Sequence, residues 1–359
     1  MRLQGQGVLR ASGSRRWPGA ADNRPPVRHA CAAGFAFRPL PPLNSPVFSS
    51  LIPVLLGIGV GFGAARIGWV RAAAIKDLSN IVFLVLTPAL LFRTMAGVRV
   101  QDLDFQPVGL YFLASGLLFV GTMAFCGFST RAAARGLAHM FSNTLMIGVP
   151  LIGLLYGQAG LVTLLTLISL HSLILLTGAT IVFELAEARE QQRAGLAAPR
   201  PMAWTVLLAV KNGIIHPVPL PILAGLLLAQ TGLHLPEVVD RPLQVLGSAL
   251  GPIALLLVGI TLAYSRIGAH WRAALGIALV KNLVHPMLVF ALAWALGLSG
   301  TSVAVMFAVA TLPVGANVFL FTQRYGVMQD EVSSSIAIST GLALLTLPLV
   351  LAATRWLPH

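Results

Sequence analysis

The sequence predicts an all-α polytopic membrane protein, with ten transmembrane helices arranged as two inverted five-helix repeats and broken crossover helices at the fourth and ninth positions. Three observations lead there. Of the 359 residues, 57% are hydrophobic and 10% charged, outside the range of ordinary soluble domains, and apolar runs close to bilayer-spanning length recur along almost all of the chain after residue 46. The basic residues between those runs sort by alternate loops. One side receives Arg66, Arg71, Lys76, Arg131, Arg135, Arg189, Arg193, Arg200, Lys211, Arg266, Arg272 and Arg324, the other only Arg99, Arg241 and Arg355. Finally, two spans are interrupted at corresponding places in the two halves, MIGVP at 146–150 and TLPVGANVF at 311–319.

Residues 1–46 carry seven arginines against the single acid Asp22, and no apolar run of signal-peptide length. They read as a disordered tail or a mis-annotated upstream extension of the reading frame, with the start near Val47. Hydropathy then places spans at 48–66, 75–96, 107–128, 138–157 and 160–183, the first repeat (47–183). The polar stretch 184–202 is a linker. A second repeat (203–355) holds spans at 203–231, 242–264, 273–298, 301–323 and 332–353. The arginine-rich side is cytoplasmic by the positive-inside rule, so both termini lie outside. An arginine-rich tail there breaks the same rule, which favours the extension reading. Pro88 in TPALLF and Pro252 in GPIALL mark the second and seventh spans as counterparts. Because five is odd, the second half must insert upside down, which brings the two interruptions together at mid-membrane depth.

Proline removes an amide donor and crowds the preceding turn, so carbonyls near 146–148 are expected to lose their partners. In hydrocarbon each orphan costs several kcal/mol, so protein or water must cover the interruption. Crossing helices of this kind offer half-helix N-termini, whose amides and dipoles suit an anion. Asn143 and Asn317 fit such a site, because a carboxamide donates to a carboxylate without placing a charge in lipid. Ser142 and Thr144 add hydroxyls, and Gly148, Pro150, Pro313 and Gly315 shape the backbone. A packing kink is the bland alternative for one such segment; two in corresponding positions favour a binding site.

FSNTLMIGVPLIGLLYG, NIVFLVLTPALLF and ATLPVGANVFLFTQRYGV followed by SSSIAISTGLALLTLPLV resemble the fourth, second, and ninth to tenth spans of the auxin efflux carrier (PIN-like) family. The resemblance covers about residues 47–355. It implies a fold like that of the bile acid symporters, an elevator-type secondary carrier in a bacterial inner membrane, and small organic anions, often carboxylates, as substrate. It assigns Asn143 and Pro150 to one crossover and Pro313, Gly315 and Asn317 to the other. It also admits a homodimer, which the sequence itself does not show. The short charged linker departs from plant members.

Among ionisable groups, Lys281 and His285 in VKNLVHPML, and Lys211 and His216 in VKNGIIHPVP, repeat a KN followed by HP in the sixth and eighth spans. Lys211 is read as a snorkelling residue. Lys281 is read as either an anion-attracting residue near the inner mouth or an interface anchor, and His285 and His171 as candidate proton carriers or packing residues. Arg93 is read as an outer-surface anchor, and the serines of DEVSSSIAIST as small packing residues. The formal charge of +13 has no basic recognition face and points to lipid rather than nucleic acid. Cys31 and Cys126 offer no metal spacing, and no cofactor or metal is expected. An intramembrane enzyme would need a nucleophile with a base, or a metal set, and no such motif is present. A sodium-coupled importer of the bile acid symporter kind is the nearer alternative.

Overall fold

The computed structural model of the chain describes residues 46–195, 219–233, 235–265 and 267–353. The tail, the first part of the expected sixth span, Lys211, His216, Arg200, Arg266 and Arg355 lie outside the described residues. Within them the chain is helical, and its one β-type contact is an isolated antiparallel bridge between Ser142 and Val314. Among the described residues six helices are long and apolar enough to cross a bilayer, at 74–95, 105–126, 144–193, 237–264, 271–295 and 329–353. Shorter apolar helices run at 51–66, 220–230 and 301–310.

In chain order the helices are α1 (Pro46–Arg66), α2 (Ala74–Ile81), α3 (Thr87–Met95), α4 (Phe105–Cys126), α5 (Thr130–Met140), α6 (Val149–His171) and α7 (Thr177–Arg193). After the linker come α8 (Pro219–Gln230), α9 (Glu237–Tyr264), α10 (Trp271–Leu279), α11 (His285–Ala295), α12 (Thr301–Ala310), α13 (Asn317–Tyr325) and α14 (Gln329–Ala353). Wide π-turns at Val82–Leu86, Thr144–Gly148 and Val280–Val284 each stop two residues before a proline, Pro88, Pro150 or Pro286. The cause is local: proline has no N–H for the carbonyl four residues back and its ring crowds that turn, so the helix widens instead of breaking. The 144–193 run is divided at Gly157, whose φ of 59° with ψ of −148° lies in a region open only to glycine.

Polar side chains fix the helix starts. Asp104 accepts from Gln106 N at 3.1 Å to begin α4, and Ser129 accepts from Ala132 N at 3.1 Å to begin α5. Glu190 also accepts from Thr130 N at 2.9 Å, placing a carboxylate on the positive end of α5. Packing gathers α1, α3, α8 and α9 into one set and α4, α5, α7 and α10–α14 into another, with α6 touching both and α1 also meeting α14. The α1–α9 contact depends on glycine. A β-carbon at Gly61 would collide with the Leu256 carbonyl oxygen, and one at Gly259 with that of Ile58. Without a driving force between helices in lipid, such backbone approach is what holds them. Arg93, half-exposed, forms a two-pronged ion pair with Asp240 of α9, at 2.8 and 3.1 Å.

Candidate functional site at the helix crossing

The site begins with two helices that stop short. α5 ends at Met140, where Ser142 and Asn143 follow, residue types whose side chains compete for backbone groups. Asn143 Oδ1 accepts from Met146 N at 3.3 Å and so caps the turn that restarts the helix. α12 ends at Ala310, ahead of Pro313, and α13 restarts at Asn317. The first interruption is thus the extended stretch 141–143. It lies several residues before the expected 146–150, because Pro150 is absorbed by the π-turn.

The two stretches pair with each other. Gly315 N donates to Phe141 O, and Asn143 N to Pro313 O, both at 2.9 Å. In an unbroken helix Phe141 O would accept from Leu145 N and Pro313 O from Asn317 N. Each crossing strand therefore takes the carbonyl that the other helix's restart needs, and the amides of Leu145 and Asn317 are left without that partner. Close approach requires glycine, since a β-carbon on Gly315 would sit 2.6 Å from the Phe141 ring.

Both freed amides belong to residues that line one cavity of about 240 Å³. Its wall comprises Phe83, residues 141–146, Ile168, His171, Gly315, Ala316, Asn317 and Leu320. None carries a fixed charge. The result is a small neutral chamber lined by residues that offer amide, carboxamide and hydroxyl donors and by apolar side chains.

A second layer of buried polar groups holds the crossing. Tyr111 Oη donates to Ser142 Oγ at 2.8 Å and lies 3.5 Å from Met140 O, at the end of α5. Lys281 Nζ donates to Ala310 O at 2.6 Å, at the end of α12, and Asn282 Nδ2 donates to Thr311 O at 3.3 Å and Ser339 O at 3.0 Å. Ser339 Oγ in turn accepts from Val314 N at 3.1 Å. Cationic or polar donors at helix C-termini meet the negative end of the dipole. The contacts repeat at one interval: Tyr111 to Met140 and Lys281 to Ala310 are each 29 residues apart. Ser115 and His285, one turn beyond Tyr111 and Lys281, meet across the halves at 3.1 Å.

Of the residues singled out from sequence, Asn143, Thr144, Gly315 and Asn317 lie together on the cavity wall. Gly148 closes the π-turn by donating to Asn143 O at 3.2 Å. Pro313 supplies a crossing carbonyl. Pro150 faces away, toward Gly251 of α9. Lys281 and His285 are fully buried behind the crossing, so Lys281 is no interface anchor: its ammonium reaches a helix end, not a surface. His171 lines the cavity. Tyr111, Asn282 and Ser339 were not singled out for the site, and Ser339 is a structural donor–acceptor rather than a small packing residue.

The family described as "Membrane transport protein" matches residues 46–351. A protein of Rhizobium meliloti (strain 1021) named "Putative malonate transporter" is 28% identical over 306 residues, covering 82% of this chain and 92% of its own. "Auxin efflux carrier component 8" of Arabidopsis thaliana is 25% identical over 241 residues, 57% of this chain and 66% of its own. "Protein ECM3" of Saccharomyces cerevisiae is 31% identical over 86 residues, 23% of this chain and 14% of its own. A multi-pass chain, helical in its described residues, whose match runs through both interrupted helices, it belongs to the membrane transport protein family that includes the auxin efflux carriers.

Proposed function

We propose that the protein is a secondary active carrier of small organic anions, most simply carboxylates, which bind where the two interrupted helices cross. The observation that carries this reading is the reciprocal pairing of residues 141–143 with 313–315, which frees two half-helix N-termini beside one neutral cavity. Backbone amides, Asn143, Thr144 and Asn317 then hold the carboxylate by neutral donors, as helix N-termini do for anions generally. Gly148, Pro150, Pro313 and Gly315 set the backbone that presents them. A cavity of about 240 Å³ admits only a small solute. The relatives named for malonate and auxin carry related chemistry in their names.

The mechanism proposed is elevator-type alternating access on a ten-span fold of two inverted five-helix repeats. The shared 29-residue interval supports the repeat, and the packing of α1, α3, α8 and α9 as one set supports a static part against which the crossing moves. Arginine-rich loops then face the cytoplasm and both termini face outward across an inner membrane. A sodium-coupled importer draws less support, because the carbonyls at the end of α12 are occupied by Lys281 and Asn282.

Purified protein in proteoliposomes, loaded with malonate or indole-3-acetate, tests the reading by counterflow of the labelled compound. Saturable exchange is expected, lost in Asn317→Ala. Flux that does not saturate, a chemically altered product, or wild-type exchange in that variant would each overturn it.

A further inference from the structure

The cavity wall has one ionisable side chain, His171, and its environment assigns it a task. The imidazole is 1% exposed and is held between two rings, with Phe141 at 4.4 Å and Tyr111 at 5.8 Å between centroids. Its Nε2 lies 3.4 Å from Tyr111 Oη. A phenol has a single proton, and Tyr111 directs it to Ser142 Oγ at 2.8 Å. Toward His171 the phenol oxygen must therefore accept, which assigns the imidazole hydrogen to Nε2. Nδ1 is then the basic nitrogen, on a residue of the cavity wall, and no hydrogen bond from the described residues occupies it.

The surroundings matter as much as the tautomer. The titratable groups facing His171 are Tyr111 from α4, and Lys281 and His285 from the α10–α11 segment, with His139 of α5 lying beyond them near His285. Among the described residues no carboxylate joins them: Glu184, Glu190 and Glu331 are engaged elsewhere, with Tyr325, Thr130 and Arg131. An imidazolium here has no protein anion to balance it. A carboxylate in the same chamber has no fixed cation on the wall. Each charge is costly alone in a site of low dielectric, and together they attract and offset one another's desolvation.

We propose that His171 is the proton site of the carrier, so that each carboxylate bound at the crossing is accompanied by one proton taken from water onto Nδ1. This rests on the carrier reading above. The bound carboxylate group and the proton then offset one another's charge, and the link from His171 through Tyr111 to Ser142 connects the proton to the first crossing strand. By linkage, if binding takes up a proton, affinity falls as pH rises, approaching about tenfold per pH unit.

The test is calorimetric binding of malonate and of indole-3-acetate to the purified full chain between about pH 7 and 8, where both carboxyl groups of malonate and the single one of indole-3-acetate stay ionised. The expected results are a Kd that weakens toward tenfold per pH unit and, from buffers of different ionisation enthalpy, uptake of one proton per molecule bound. His171→Gln keeps an N–H for Tyr111 but cannot take up a proton; its binding should be flat with pH. His285→Gln should keep the slope. A merely structural role for His171 would weaken binding equally at every pH and leave the slope intact. Carboxylate binding that is independent of pH in the wild type, or a wild-type slope in His171→Gln, overturns the proton site alone. Failure of both carboxylates to bind overturns it together with the carrier reading. Should His171→Gln not fold, wild-type pH dependence and proton count still decide.

Discussion

Asn143 uses its two ends differently. Its Oδ1 caps the π-turn through Met146 N, which directs the carboxamide nitrogen to the other side, at the cavity wall. Replacing it with alanine removes a cap, at about 1 kcal/mol of stability, and a substrate donor. Asn143→Ala should therefore keep its fold, seen as a thermal unfolding midpoint within a few degrees of wild type, yet lose carboxylate exchange by tenfold or more. Wild-type exchange would remove Asn143 from the site. Lys281 poses the opposite case, since it touches the site only through the helix end it caps. Lys281→Met keeps the bulk but orphans the Ala310 carbonyl, costing about 1–3 kcal/mol. Its binding of carboxylate should weaken to the same degree at every pH, unlike the change expected at His171. Asn143 and Lys281 stood out in the sequence because amides and charges are rare in apolar runs. Tyr111 and Ser339 did not, because an aromatic or a serine is ordinary there and their partners are remote: Ser142 is 31 residues from Tyr111, and Val314 is 25 from Ser339.

Among elements, the crossing turns on where each helix yields. Proline advertises an interruption in the sequence, yet in the first half it marks the wrong residues. Pro150 lies within the first turn of α6, and the chain opens at 141–143, where only Ser142 and Asn143 give a weak local signal. In the second half Pro313 lies inside the extended stretch, so position and signal coincide. The difference is physical, because a helix can absorb one missing donor by widening a turn, as it also does before Pro88 and Pro286. Pro150→Ala restores an N–H for the carbonyl of Met146 and lets the π-turn tighten. That rotates Asn143 relative to α6, so exchange should fall severalfold while the unfolding temperature stays level or rises. A fall in both together would mean that Pro150 serves packing against Gly251 and not the geometry of the turn.

Across the whole molecule, hydropathy made the apolar helices legible, because a bilayer imposes one length and one composition on every span. It could not reveal how the helices sort into groups, since helices in lipid associate through shape rather than through a hydrophobic pattern. The α1–α9 contact shows this best: Gly61 and Gly259 read as unremarkable small residues until the backbones of Leu256 and Ile58 are seen against them. No residue of either helix lines the cavity, so stability of this contact and affinity of the site should be separable. Gly259→Ala pushes a methyl group into the Ile58 carbonyl, and the helices must part, at about 1–3 kcal/mol. The expected outcome is a lower unfolding temperature in detergent with unchanged carboxylate Kd in the folded fraction, the reverse of Asn143→Ala. Weakened binding at full stability would instead couple α1 and α9 to the crossing, and they could not then be the static part against which it moves.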